Sequence, residues 1–174
     1  SKRIADCASG FEPSKLPSFL FPFQRDIVAW ACRRGRSALM EDCGLGKTAQ
    51  QLVWAQQVID HDGGKVLILA PLGVCNQHVR EGKKFGIDVA YRKEQSTVTS
   101  GITVTNYERL HLFDMSEFDA LILDESSILK NYSGSTRNEI IESSARIKYK
   151  LCCSATAAPN DYMELGTQAE FLGI

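Results

Sequence analysis

The sequence predicts an α/β domain, a mostly parallel sheet with helices on both faces, and three observations carry that prediction. Short apolar runs alternate along the chain with segments of helical periodicity. The apolar runs are near-continuous rather than alternating, as expected of strands covered on both sides. Finally, Glu41-Asp42-Cys43-Gly44-Leu45-Gly46-Lys47-Thr48 follows one such run and opens a helical pattern, the strand–loop–helix order of a phosphate cradle.

In chain order, residues 1–20, with Gly10, Pro13 and Pro17, read as an irregular lead-in. Phe23–Arg34 fits a helix with Ile27, Trp30 and Ala31 on one face, stopped by Gly35. Strands are expected at Ser37–Met40, Val66–Ala70, Ile102–Thr105, Ala120–Leu123 and Leu151–Ser154, with a weaker one at Val89–Tyr91. Between them lie helical patterns at Lys47–Ile59, Val74–Phe85 and Asn138–Ile147, and a short turn from Tyr107. Ala49, Leu52, Val53 and Ile59 form the inward stripe of the first of these. Asp161-x-x-Glu164, after Pro159, resembles a capping box opening a last helix.

Bulk properties narrow the function. A chain of 174 residues, 44% of them hydrophobic, can bury a full core, and one domain is the expected count. The net charge of −1 means that any nucleic-acid contact comes from a local face. Six cysteines stand at 7, 32, 43, 75, 152 and 153 without a C-x-x-C pair, which favours reduced, core-filling thiols over disulfides or zinc ligands. His61, His78 and His111 lack ligand spacing and read as surface residues. With no signal-peptide pattern and no apolar span of about 18 residues, the expectation is a cytoplasmic protein without a membrane partner. The chain opens on Ser1 rather than Met, which an excised piece would explain without proving it.

The chemistry concentrates in four places. In the glycine loop, Gly44 and Gly46 let successive N–H groups converge on an anion, and the helix that follows points its positive end there. Lys47 can reach the β- and γ-phosphates of a nucleotide, and Thr48 can offer its hydroxyl to Mg2+. The second place is Leu121-Ile122-Leu123-Asp124-Glu125, an apolar strand ending in two carboxylates. Asp124 suits metal binding, directly or through water, and Glu125 suits the base that orients the attacking water. The third is Phe21-Pro22-Phe23-Gln24, where Gln24 matches adenine's donor and acceptor edge. The fourth is Ser154-Ala155-Thr156, small hydroxylated residues at a strand end that can sense a filled γ-phosphate site.

These four, in this order, resemble the N-terminal RecA-like ATPase domain of superfamily 2 helicases and translocases, closest to the Swi/Snf-like branch and its phage and bacterial relatives. That family's nucleotide loop reads D-x-G-x-G-K-T, which Asp42 to Thr48 satisfies, so Glu41 is no serious departure. Leu67-Ile68-Leu69-Ala70-Pro71-Leu72 and Val104-Thr105-Asn106-Tyr107-Glu108 look like the strand-end motifs that follow. Asp124-Glu125-Ser126-Ser127-Ile128-Leu129-Lys130-Asn131 parallels D-E-A-H-x-x-K-N, with Ser126-Ser127 in place of Ala-His. Ser154-Ala155-Thr156 is similar to the family's coupling motif.

The resemblance covers residues 21–174 and implies a RecA-like P-loop three-layer sandwich that binds ATP and Mg2+. It implies DNA, duplex rather than single strand, held by its phosphates near Pro71, Leu72, Thr105, Lys130 and Asn131. It also implies a second RecA-like domain of the same polypeptide, which would bring the arginine finger. Without that finger the chain is expected to be a poorly active ATP hydrolase by itself, since the finger is worth about 10³–10⁵ in turnover. Two other classes stay open on the residues alone: a P-loop phosphotransferase, and a nucleotide-dependent docking module without motor activity.

Overall fold

The computed structural model describes residues 10–41, 46–99, 101–155 and 162–173. Its elements run α1 (Pro22–Arg34), β1 (Arg36–Met40), α2 (Lys47–Asp62), β2 (Lys65–Ala70), α3 (Leu72–Phe85), β3 (Val89–Tyr91), β4 (Gly101–Asn106), β5 (Ala120–Asp124), α4 (Gly134–Ser143), β6 (Tyr149–Ser154) and α5 (Tyr162–Leu172). Short 3-10 segments at Tyr107–Leu112 and Ser126–Asn131 follow β4 and β5. The six strands form one sheet in the order β1-β6-β5-β2-β4-β3, and every pairing is parallel. All six expected strands are present, including the weak one.

Strand periodicity divides the core in two. Val66, Ile68 and Ala70 of β2 face α1, α2 and α3, in a cluster with Val28, Leu52, Trp54 and Cys75. Leu67 and Leu69 face the opposite way, onto Tyr107, Leu129, Ile140 of α4 and Phe171 of α5. A strand with no polar side chain in this run is what two covered faces require. Cys32, Cys75, Cys152 and Cys153 are buried free thiols, as their apolar settings suggested.

Register brings the functional strand ends level. Met40 pairs with Ser154, Asp124 with Cys153, and Ala70 with Asn106. The loop after β1, the acidic pair after β5 and the end of β6 therefore share the carboxyl edge of the sheet, the ligand-binding edge of open α/β folds.

Three details depart from expectation. Trp30 is 44% exposed, beneath the Arg34 guanidinium, while Gln24, Val28, Ala31 and Cys32 face inward. The stripe is rotated because Gln24 is drawn in towards the nucleotide loop, its Oε1 accepting from Phe21 N at 2.9 Å. α4 begins four residues early because Ser133 caps it, its hydroxyl accepting from Thr136 N, and Ile147 lies in the turn before β6. The lead-in is docked where it is described: Phe11 N donates to Cys32 O at 2.9 Å, and Phe11 and Leu20 are buried. Asp161 lies outside the described residues, so its proposed cap does too.

Candidate nucleotide site

The site begins with backbone. Gly46 caps α2 with φ 75 and ψ 37, a left-handed conformation that a Cβ would make strained. A Cβ there would also collide with the Gln24 amide nitrogen, so the glycine admits the glutamine side chain against the loop. Lys47 follows as the first residue of α2. Its Nζ lies 3.1 Å from Glu125 Oε1 in a mostly buried ion pair.

Glu125 is the one described non-glycine residue with positive φ, at φ 52 and ψ 54. That conformation carries a penalty of about 1–3 kcal/mol. It turns the chain sharply after β5, so that Asp124 and Glu125 line the same cavity. The cavity holds about 580 Å³, and its lining includes Phe19, Gln24, Lys47, Thr48, Asp124 and Glu125. Phe19 stacks on Phe85 at 4.4 Å at its apolar end, and the exposed Phe21 stands beside them.

Asp124 is held from several sides. Gln51 Nε2 donates to Oδ1 at 2.8 Å, His78 Nε2 lies 3.5 Å from Oδ2, and the Tyr107 hydroxyl donates to the main-chain oxygen at 2.7 Å. Burial, with the Asp124 charge adding to it, pushes the Tyr107 hydroxyl and the Cys153 thiol well above their ordinary ranges. Both stay protonated beside the carboxylate. Glu41, in the place of the loop's first glycine, is anchored instead: its Oε2 accepts from Gln50 Nε2 at 2.9 Å, and its N–H donates to Ser154 O. The start of the loop is thus tied both to α2 and to the end of β6.

The structure brings Gln24, Gly46, Lys47, Thr48, Asp124 and Glu125 together. Asp42, Cys43, Gly44, Leu45 and Thr156 lie outside the described residues, as does the side chain of Lys130. Pro71 and the exposed Leu72 open α3 beside the end of β4, and the exposed Asn131 ends the segment after β5. Thr105 needs correction as a contact: it is fully buried because β4 is covered on both faces, and among the described residues its hydroxyl has no partner. Ser154 is buried too, and Ala155 follows it partly exposed.

His78 also departs from its reading as a surface residue. It is completely buried, on a stripe with Cys75 and Gly82 at helical spacing. That spacing was the available signal for His78, and the burial of Gln51 on α2 is its counterpart. Among the described residues no cluster of three or more His, Cys, Asp or Glu could hold a metal. Mg2+ does not need one, since one or two carboxylates plus nucleotide phosphates and waters usually complete its shell.

The family model for DEAD/DEAH box helicases matches residues 21–165. The chain belongs to that family. Its similarities point to the Swi/Snf-like branch. It is 30% identical over 166 residues to a SWI/SNF-related matrix-associated actin-dependent regulator of chromatin subfamily A-like protein 1 of Xenopus tropicalis, covering 89% of this chain. It is 28% identical over 180 residues to the DNA annealing helicase and endonuclease ZRANB3 of Bos taurus, covering 93% of this chain. The chain spans 17% of the length of each of these curated relatives. The Sulfolobus solfataricus SWI2/SNF2 ATPase core in complex with dsDNA superposes with a TM-score of 0.75 at 21% identity, covering 92% of this chain and 37% of that one. The fold is therefore the RecA-like helicase core domain, and the family implies nucleotide use. Among the described residues no helix is long and apolar enough to cross a membrane.

Proposed function

We propose that this chain is the ATP-binding half of an ATP-dependent DNA helicase or translocase motor, hydrolysing ATP when a second RecA-like domain of the same polypeptide closes over it. The observation that carries this reading is the Lys47–Glu125 pair at 3.1 Å, beside Asp124, in one cavity at the carboxyl edge of the sheet. A lysine ammonium held against a carboxylate in this way is placed to exchange that partner for phosphate oxygens.

Each residue then has a task. Lys47 leaves Glu125 for the phosphates, which neutralises their charge and frees the Glu125 carboxylate. Glu125 accepts the proton of the attacking water as that water bonds to the γ-phosphorus and the bond to the bridging oxygen breaks. Thr48 and Asp124 are the groups that would hold Mg2+, and the fit is good: a hydroxyl and a carboxylate line one cavity, and the carboxylate is pinned from behind. Bound there, Mg2+ would supply charge neutralisation to the nucleotide phosphates. Gln24 and Phe21 are the groups set to meet the base. Ser154, whose carbonyl accepts from Glu41 N, links the end of β6 to the start of the loop, and Ser154-Ala155-Thr156 would carry the coupling role.

DNA would be held by its phosphates at the exposed start of α3, Pro71-Leu72, and at Lys130-Asn131, with β4 contributing main chain around Thr105 rather than its buried hydroxyl. A stepping motor cannot depend on base readout, and phosphate contacts position without specifying. The dsDNA-bound Swi2/Snf2 core and the annealing helicase among its similar proteins support DNA, duplex before single strand, as the track. Both ATP and DNA place such a motor inside the cell. Without an arginine finger from a second domain, the chain alone would turn over slowly.

The test is fluorescence anisotropy of labelled duplex and single-stranded DNA, each in two unrelated sequences, across a salt series. Weak binding that ignores sequence and declines as salt releases counterions is expected. Strong preference for one sequence, or indifference to salt, would rule out a phosphate-tracking motor half and favour the docking module.

A further inference from the structure

His78 and Gln51 have no part in the roles above, yet both are completely buried in the core beneath α2 and α3. The His78 Nδ1 lies 3.1 Å from Val74 O, one turn earlier in α3, and its Nε2 lies 2.9 Å from Gln51 Oε1. Gln51 Nε2 donates to Asp124 Oδ1 at 2.8 Å, and His78 Nε2 lies 3.5 Å from Asp124 Oδ2. A carboxylate only accepts, which sets the end of the Gln51 amide that faces Asp124. The amide oxygen therefore faces His78, and the ring must donate to it. The Val74 carbonyl, one turn back, lies against the other ring nitrogen, Nδ1.

Burying a histidine, a glutamine and an aspartate together in an apolar core is unfavourable unless every hydrogen bond is made. Here Gln51 bonds both Asp124 and His78, and the two side chains converge on one carboxylate at the edge of the nucleotide cavity. Nothing in the sheet requires this arrangement, since a strand-end carboxylate is served as well by solvent. We propose that His78 is a positioning residue for nucleotide hydrolysis: acting through Gln51, it locks the Asp124 carboxylate in the orientation that receives a hydrated Mg2+. The link runs from α3 through α2 to β5, so three elements must stay in register for the carboxylate to be aimed. Partners of this kind, behind a metal ligand, are as consequential as the ligand's own placement. This inference rests on the reading of the cavity as an Mg·ATP site.

The experiment is a titration of a fluorescent ATP analogue against the whole chain, in EDTA and across a Mg2+ series, for the wild type, His78→Leu, Gln51→Met and His78→Gln. The last variant keeps an N–H near the position of Nε2. Binding in EDTA should be unchanged in all four. The Mg2+ concentration needed for half-maximal enhancement should rise about tenfold or more in His78→Leu and Gln51→Met. His78→Gln should return it most of the way to the wild-type value. Circular dichroism establishes that each variant is folded, and Gln51→Met tests the same link from the other helix if His78→Leu does not fold. A folded Gln51→Met or His78→Leu protein with the wild-type Mg2+ dependence would overturn the role assigned to His78. Absence of nucleotide binding by the wild type would instead sink the functional reading itself.

Discussion

The two faces of the sheet are anchored by different polar groups at opposite edges. On the α1–α2–α3 face, buried side chains gather at the carboxyl edge: Gln50 on Glu41, and Gln51 with His78 on Asp124. On the α4–α5 face the anchors stand at the amino edge. Arg36, at the start of β1, donates to the main-chain oxygens of Ile147, Lys148 and Leu172. Lys150, at the start of β6, donates to Phe171 O at 2.8 Å. These cations satisfy and complement the C-terminal carbonyls of α5. One side-chain bond, Gln168 Nε2 to Ser126 Oγ at 2.9 Å, runs from α5 to the acidic loop. The anchors of the first face hold side chains at the proposed nucleotide cavity; those of the second hold main-chain carbonyls, the end of α5 among them. Substitutions should therefore register in binding on one face and in stability on the other.

Arg36→Met offers the largest break in that comparison. Losing three charge-assisted bonds to carbonyls should cost about 3 kcal/mol in urea denaturation, while nucleotide affinity in the folded protein stays put. A matching fall in affinity would show that the two faces are not separable. Gln168→Leu comes next, at about 1–2 kcal/mol for a buried polar bond. Because its partner follows Glu125, this is the one change on the second face that should also slow hydrolysis in the two-domain parent.

Alkaline pH probes the buried titratable groups of both faces, Cys152 on the second among them. Burial pushes Cys32 up to about 12 and Cys75 up to about 11, both on the first face. Folded values above the unfolded one near 9.0 mean that their stabilising contribution is complete below pH 9 and is lost as the pH climbs towards those values. Each adds a slope of about 1.4 kcal/mol per pH unit in that window. Lys150 acts in the opposite sense. Burial, with Arg36 adding to it, lowers it to about 8. Between pH 8 and its unfolded value the unfolded chain holds a proton that the folded one lacks, so stability rises there. Urea midpoints from pH 8 to 10 should fall less steeply in Cys32→Ala and more steeply in Lys150→Met. The smallest effect belongs to Trp30→Ser. At 44% exposure, it should shift stability by no more than about 0.5 kcal/mol.

Much of this was legible in the sequence because it depends on local pattern. The six strands are apolar runs, and Lys47, Asp124 and Glu125 sit where strand, loop and helix must turn, so their convergence follows from parallel topology. What escaped depends on contacts distant in the chain. The helical spacing of His78 with Cys75 and Gly82 is its one local sign of burial, and what holds it inside is distant: Gln51, 27 residues away, and Asp124. Trp30 reads inward because helical spacing puts it on one face with Ile27 and Ala31, but Gln24 sets the rotation of α1 instead. Thr105 reads as a contact residue by motif, and only the covering of β4 on both faces reveals that its hydroxyl is buried.

In the proposed mechanism Lys47 serves binding and Glu125 serves hydrolysis. Mg·ATP affinity, measured with a fluorescent analogue for the wild type, Lys47→Ala and Glu125→Gln, tests it most directly. Lys47→Ala should lose about a hundredfold in affinity while remaining folded, as expected for removal of a charged partner. Glu125→Gln should keep or tighten binding, because it no longer competes for the lysine, and should remove residual hydrolysis. Equal loss of affinity in both variants would contradict the division of roles.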